Sequence, residues 1–100
     1  MRTESRAEQP IAFELEGEVD VVTAGTLGDR LCALIETGPP EIAVLCSSVT
    51  FIESRGLAMM ARVQRFADEA GCRLTWRDLP LQALRTIHVS GLDAYLRIEA

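Results

Sequence analysis

Residues 49–60, VTFIESRGLAMM, begin as a β-branched and aromatic run, break at Glu53-Ser54-Arg55-Gly56, and resume with apolar residues at helical spacing. A strand repeats every two residues and a helix every 3.6, so the break marks a strand handing over to a helix. The first turn of a helix leaves backbone N–H groups without partners, and these favour acceptors and negative charge. A charged, hydroxyl-bearing stretch at such a junction reads as a recognition or switching site. Ser54 also has a plainer reading, an inward-facing helix cap worth ~1 kcal/mol. The cap is preferred over a nucleophile, because the flanks are not G-x-S-x-G and no base is placed beside it.

Upstream of the junction, EIAVLC at 41–46 is a continuous apolar run of strand length, read as a strand buried on both faces inside a parallel or mixed sheet. Downstream, Leu57, Met60, Val63, Phe66, Ala67 and Ala70 form one stripe while Arg62, Arg65, Asp68 and Glu69 point away, which predicts a helix from Ser54 ending at Gly71. Further out, IAFELEG alternates as a half-buried strand with Ile11, Phe13 and Leu15 inward, closed by Gly17. Leu27, Leu31, Leu34 and Ile35 give an amphipathic helix over 23–36, with Thr23 or Thr26 as its cap and Gly38-Pro39-Pro40 as its stop. CRLTW is another short strand. Asp78 is read as the acidic cap of a helix that carries Pro80 early, turns Leu81, Leu84 and Ile87 inward, and stops at Ser90-Gly91. AYLRI then closes the sheet, for an order β-α-β-α-β-α-β. Residues 1–10 are read as a frayed arm or a short edge strand.

One hundred residues, 48% of them hydrophobic, fit one domain over 1–100 with a core of its own. The formal charge of −5 argues against nucleic acid or an anionic membrane surface as partner, since both are bound through excess Lys and Arg. No run is long enough to span a bilayer and the first residues lack a signal's apolar segment, so a cytoplasmic protein is expected. Cys32, Cys46 and Cys72 lack CxxC spacing and are read as reduced and mostly buried. The single histidine, His88, is read as structural, and no metal cluster or cofactor fingerprint can be assembled. GTLGD lacks the lysine of a phosphate loop, so Gly25 and Gly28 are read as easing close packing. No enzyme is expected.

LEGEVDVVTAGTL, IAVLCSSVTFIESRGLAMM and VSGLDAYLRI together resemble the STAS domain family, the anti-sigma factor antagonists and their relatives, over residues 13–98. The resemblance implies an α/β fold, a small mixed β-sheet flanked by helices. In the family's antagonists the loop after the central strand carries an Asp-Ser-Ser-Gly-Leu type motif, and the serine before the glycine is phosphorylated by a kinase that is also the anti-sigma factor. Here the loop reads Glu53-Ser54-Arg55-Gly56-Leu57, with Arg55 in place of the phosphate acceptor. The central strand also departs from the family, ending in Cys46-Ser47 where an acidic and an apolar residue are usual. Asp20 matches the family's acidic residue beside the loop, and has a second reading as a turn or cap residue.

The resemblance implies a protein-interaction module that binds a kinase-fold anti-sigma factor, or a related regulator, through the loop at 53–57, the exposed side of the second helix and the 20–23 turn, with Asp20, Thr23, Glu53, Ser54, Arg55, Gly56 and Leu57 as its binding residues. Arginine presents a permanent positive fork and accepts no phosphoryl group, so the usual switch is absent and Ser54 is the remaining hydroxyl for phosphorylation. Two other readings stand beside it. One is a subunit of a larger assembly, such as a lipid-transporter accessory protein or a stress-signalling scaffold. The other is a small-ligand or nucleotide sensor using the helix start at Ser54.

Overall fold

The computed structural model describes residues 9–99. The arm or edge strand expected of residues 1–10 therefore lies, for residues 1–8, outside the described residues. The elements alternate as β1 (Ile11–Val19), α1 (Ala24–Glu36), β2 (Glu41–Ile52), α2 (Ser54–Glu69), β3 (Arg73–Arg77), α3 (Leu81–Ser90) and β4 (Ile98–Glu99). The sheet order is β1-β2-β3-β4, and every pairing among the described residues is parallel. Sequential parallel strands joined by right-handed crossovers put their helices on one face of the sheet. Burial agrees with that placement. Leu15, Val19, Ile42, Val44, Leu74 and Trp76 from the strands share one core with Leu31, Ile35, Met60, Val63 and Ile87 from the helices.

The opposite face is polar. Glu14, Glu16 and Glu18 of β1 are exposed there. Toward the other edge, Arg77 reaches Glu99 at 3.1 Å and Glu41 at 3.7 Å, Arg73 reaches Glu99 at 3.6 Å, and Arg77 Nε donates to the buried Thr75 hydroxyl at 3.3 Å. This face explains why the 41–46 run is not buried on both sides. Ile42, Val44 and Cys46 are fully buried toward the helices, while Glu41, Ala43 and Leu45 are half-buried on the other side.

Both long strands outrun their sequence-based limits. β1 continues through Gly17 to Val19, and β2 runs on to Ile52, so 41–46 and the β-branched run after it are one strand. Two register shifts reconcile them: Glu14 and Glu16 pair with Leu45 and Ser48, then Gly17 and Glu18 pair with Val49 and Phe51. Each shift adds one residue to β2, a bulge that moves the inward phase from Cys46 to Val49 and then to Ile52.

The helices stop where expected, α1 before Gly38 (φ 92°) and α3 before Gly91 (φ 83°). The start of α3 differs. Asp78 takes a left-handed conformation (φ 59°) directly after β3, and Pro80 occupies the capping position without a side-chain acceptor. Gln82 then fixes the rotation of α3: its amide accepts from the Ile52 N–H at 3.2 Å and donates to the Ile52 carbonyl at 3.0 Å. Ala83 and Ile87 are thereby turned inward, and Leu81 and Leu84 face solvent. The closing strand is also shorter than AYLRI, because residues 92–94 wind into a 3₁₀ turn and only Ile98–Glu99 pair with β3.

His88 is exposed near the end of α3, with Nδ1 2.8 Å from Asp93 Oδ2. That bond holds the Asp93 carboxyl below the usual carboxylate range. All three cysteines are free, Cys46 and Cys72 buried and Cys32 half-buried, and burial pushes the Cys46 thiol up to about 12. No helix among the described residues is long and apolar enough to cross a membrane.

Candidate functional site

The site lies at the carboxyl ends of β1 and β2, where parallel α/β sheets place their binding loops. The Glu53 N–H donates to the Val19 carbonyl at 3.1 Å, tying the end of one strand to the end of the other. The 20–23 turn leaving β1 and the 53–56 turn leaving β2 are therefore neighbours. Asp20 organises the first. Its Oδ1 accepts from the N–H of Val22 at 2.9 Å and of Thr23 at 3.1 Å, and the Thr23 hydroxyl donates to the Glu18 carbonyl at 3.0 Å. The backbone N–H groups of Thr23 and Val22 hold the Asp20 carboxyl below its ordinary value of 3.8. A lowered folded-state value means that the turn is fully stabilised above the ordinary value and loses that contribution as pH falls through the lowered one.

Asp20 is thus a turn residue, and Thr23 stands at the cap position of α1 with its side chain engaged in the turn and not on the helix. Ser54 is not an inward cap. It is exposed as the first residue of α2, while the cap position belongs to Glu53, whose extended backbone (φ −101°, ψ −176°) starts the helix with no side-chain capping bond. Arg55 is exposed and has no carboxylate partner among the described residues. Gly56 and Leu57 are buried, so they position the loop and offer no side chain to a partner.

Gly56 is fixed by close approach. A Cβ there would stand 2.7 Å from Ile52 Cγ2 and 2.9 Å from both Val19 Cγ1 and the Val19 carbonyl oxygen. The carbonyl is the atom that also receives the Glu53 N–H, so it cannot move without opening the junction. Gly56→Ala is expected to destabilise the fold by about 1–3 kcal/mol, as overpacking does. Chemical denaturation checks this, and an unchanged midpoint would show that the two strand ends separate freely.

Sequence reasoning included the 20–23 turn and the exposed side of the second helix in the binding surface, without singling out the residues that wall it. Val21 and Val22, 58% and 79% exposed, project from the 20–23 turn. A groove of about 280 Å³ runs between the start of α1 and α2, lined by Val21, Ala24, Gly25, Arg55, Ala58, Met59 and Arg62. The two valines follow Glu18-Val19-Asp20 in unbroken β-type sequence, and only the Asp20 turn separates them from the strand. Gly28 does what the packing reading asked of it, since a Cβ there would collide with the Arg62 guanidinium and with Met59 Cγ at 2.9 Å. Behind the site, Gln82 braces Ile52, a long-range contact that no local pattern announces.

The family model described as "Mlab, STAS domain" matches residues 3–98. The anti-sigma-B factor antagonist of Bacillus subtilis (strain 168) is 26% identical over 93 residues, covering 93% of this chain and 84% of its own. Among solved structures, an anti-sigma factor antagonist from Mycobacterium paratuberculosis superposes with a TM-score of 0.77 at 26% identity, covering 88% of this chain and 75% of its own. The anti-sigma factor antagonist SpoIIAA in its unphosphorylated form superposes with a TM-score of 0.75 over 100% of this chain and 84% of its own, a likeness of fold at 16% identity. With its parallel sheet, its loop at the strand ends and a family match across nearly all its length, the chain belongs to the STAS domain family.

Proposed function

We propose that the chain is an anti-sigma factor antagonist that binds a kinase-fold anti-sigma factor through the paired turns at 20–23 and 53–55, and that its binding is not switched by phosphorylation at residue 55. The carrying observation is Arg55 itself. It stands exposed in the first turn of α2 where the family places its phosphate acceptor. Ser54 is exposed too, but one residue along a helix turns the side chain by about 100°, which aims its hydroxyl elsewhere. The relatives named above support the antagonist reading, because each is described by that role.

The test is to purify the chain with its cellular partner and add ATP. The wild-type chain is expected to stay bound and unlabelled, whereas Arg55→Ser rebuilds the Ser-Ser-Gly order and is expected to gain stoichiometric phosphate and dissociate when ATP is present. Phosphate on Ser54 of the wild-type chain would overturn the unswitched reading. Recovery of the chain in a large particle with an ATPase subunit, and no anti-sigma factor, would replace it with the assembly-subunit reading.

A further inference from the structure

We propose that the groove between α1 and α2 receives an acidic amphipathic helix of the partner protein, with Arg55 and Arg62 pairing its carboxylates. The proposal rests on the binding reading above and names the chemistry of the partner's contact segment. Charge is the first support. The chain carries a formal charge of −5, yet the side chains lining this groove include two arginines and no carboxylate. Asp20, the nearest acid in sequence on the 20–23 turn, has its Oδ1 occupied by the backbone N–H groups of Val22 and Thr23. Arg62 does face one acid, Asp29 at 3.4 Å, but both are largely exposed, and such pairs exchange partners at little cost. Arg55 has none among the described residues.

Shape is the second support. At Gly28 the two helices touch, leaving no room for a Cβ, whereas one turn earlier Gly25 has open space where its Cβ would be. The groove therefore opens toward the strand ends, with Ala58 and Met59 along it and Val21 at its mouth. Its volume of about 280 Å³ is small beside the enclosed pockets that hold cofactors and drug-sized ligands. It suits a few side chains of a partner. Two helix walls offer no free backbone edge for an extended strand, so the matching element is a helix laid across them, with apolar residues inward and acids at its flanks.

The test uses the full chain, labelled for NMR, and two synthetic helical peptides that share a leucine stripe and differ only in flanking glutamates or lysines. The glutamate peptide is expected to shift the signals of Val21, Val22, Gly25 and Ala58, and to bind at least about ten-fold more tightly than the lysine peptide. Arg55→Ala and Arg62→Ala, both at exposed positions, are each expected to weaken it several-fold with unchanged melting temperature, and Arg55→Lys to recover part of the loss. Equal binding of both peptides, no binding, or shifts confined to α3 would overturn the proposal. So would the same shifts produced by inorganic phosphate alone or by phosphatidylglycerol vesicles, which would make the groove an anion or lipid site. No anti-sigma factor enters this experiment, so its failure leaves the antagonist reading standing. Conversely, a chain that takes the glutamate peptide but no anti-sigma factor would lose that reading alone.

Discussion

Gln64→Met is expected to lower stability by about 2–5 kcal/mol, and the melting temperature by roughly 10 °C or more, although the two side chains have nearly the same shape. Gln64 is 1% exposed on the inner face of α2, in a row otherwise apolar. Its Oε1 accepts from the Trp76 indole N–H at 3.0 Å and from the Arg97 backbone N–H at 3.1 Å. Its Nε2 donates to Asp68 at 3.2 Å and lies 3.5 Å from the Leu74 carbonyl oxygen. Methionine fills the space and leaves the buried indole N–H and the half-buried Arg97 N–H without a partner, at up to about 1–3 kcal/mol each. Trp76→Phe removes one of those donors, so its cost should be smaller in the Gln64→Met background than in the wild type, as coupled positions require. A melting temperature within a few degrees of wild type for Gln64→Met would mean that water reaches the indole.

The second large effect is on binding. Glu53→Ala and Arg55→Ala should leave the melting temperature almost unchanged, because Arg55 is exposed, Glu53 is half-buried, and neither makes an ion pair among the described residues. Titrated against the isolated anti-sigma factor, Arg55→Ala should lose ~2–5 kcal/mol, the cost of truncating one member of a charged pair that the complex buries. Glu53→Ala should lose affinity as well. Near-wild-type affinity for both would move the interface away from this loop. The exposed Leu81 and Val89 of α3, 62% and 85% accessible, would then be the next surface to test. A large fall in melting temperature would instead show that the charges support the junction itself.

What the sequence made legible follows the range of the forces involved. The α1 and α2 stripes, the glycine stops and the Glu53 junction depend on neighbours within a turn or two, and period and composition report these directly. The fold class was carried by the same signals in order. The misreadings lie where a distant contact decides. Leu81 and Leu84 point outward because Gln82 reaches 30 residues back to Ile52. Asp78 was assigned a capping role on its residue type, but it is bent left-handed by the exit from β3. Ser54 likewise loses its capping role once Glu53 is pinned to Val19. In the candidate site, the 53–55 turn was singled out by its charged break in an apolar run, and Asp20 by its match to the family's acidic residue. Val21, Val22, Met59 and Arg62 were not named individually as site residues, although the 20–23 turn and the exposed side of the second helix were, since each resembles ordinary strand or helix surface until the fold sets α1 beside α2.

The two bulges in β2 give this strand slack in its length. Each sets two outward residues where regular alternation would set one, Ser47-Ser48 before Val49 and Thr50-Phe51 before Ile52, and so keeps Val49 opposite Gly17 and Ile52 opposite Val19. Losing one residue from either pair would flatten that bulge into regular alternation and leave Ile52 on the inner face, with the Glu53 junction on the same side of the sheet. Losing a residue from 41–46, where alternation is already regular, would turn the following side chains over. Length variation is therefore tolerable at 47–48 and 50–51 and damaging before them.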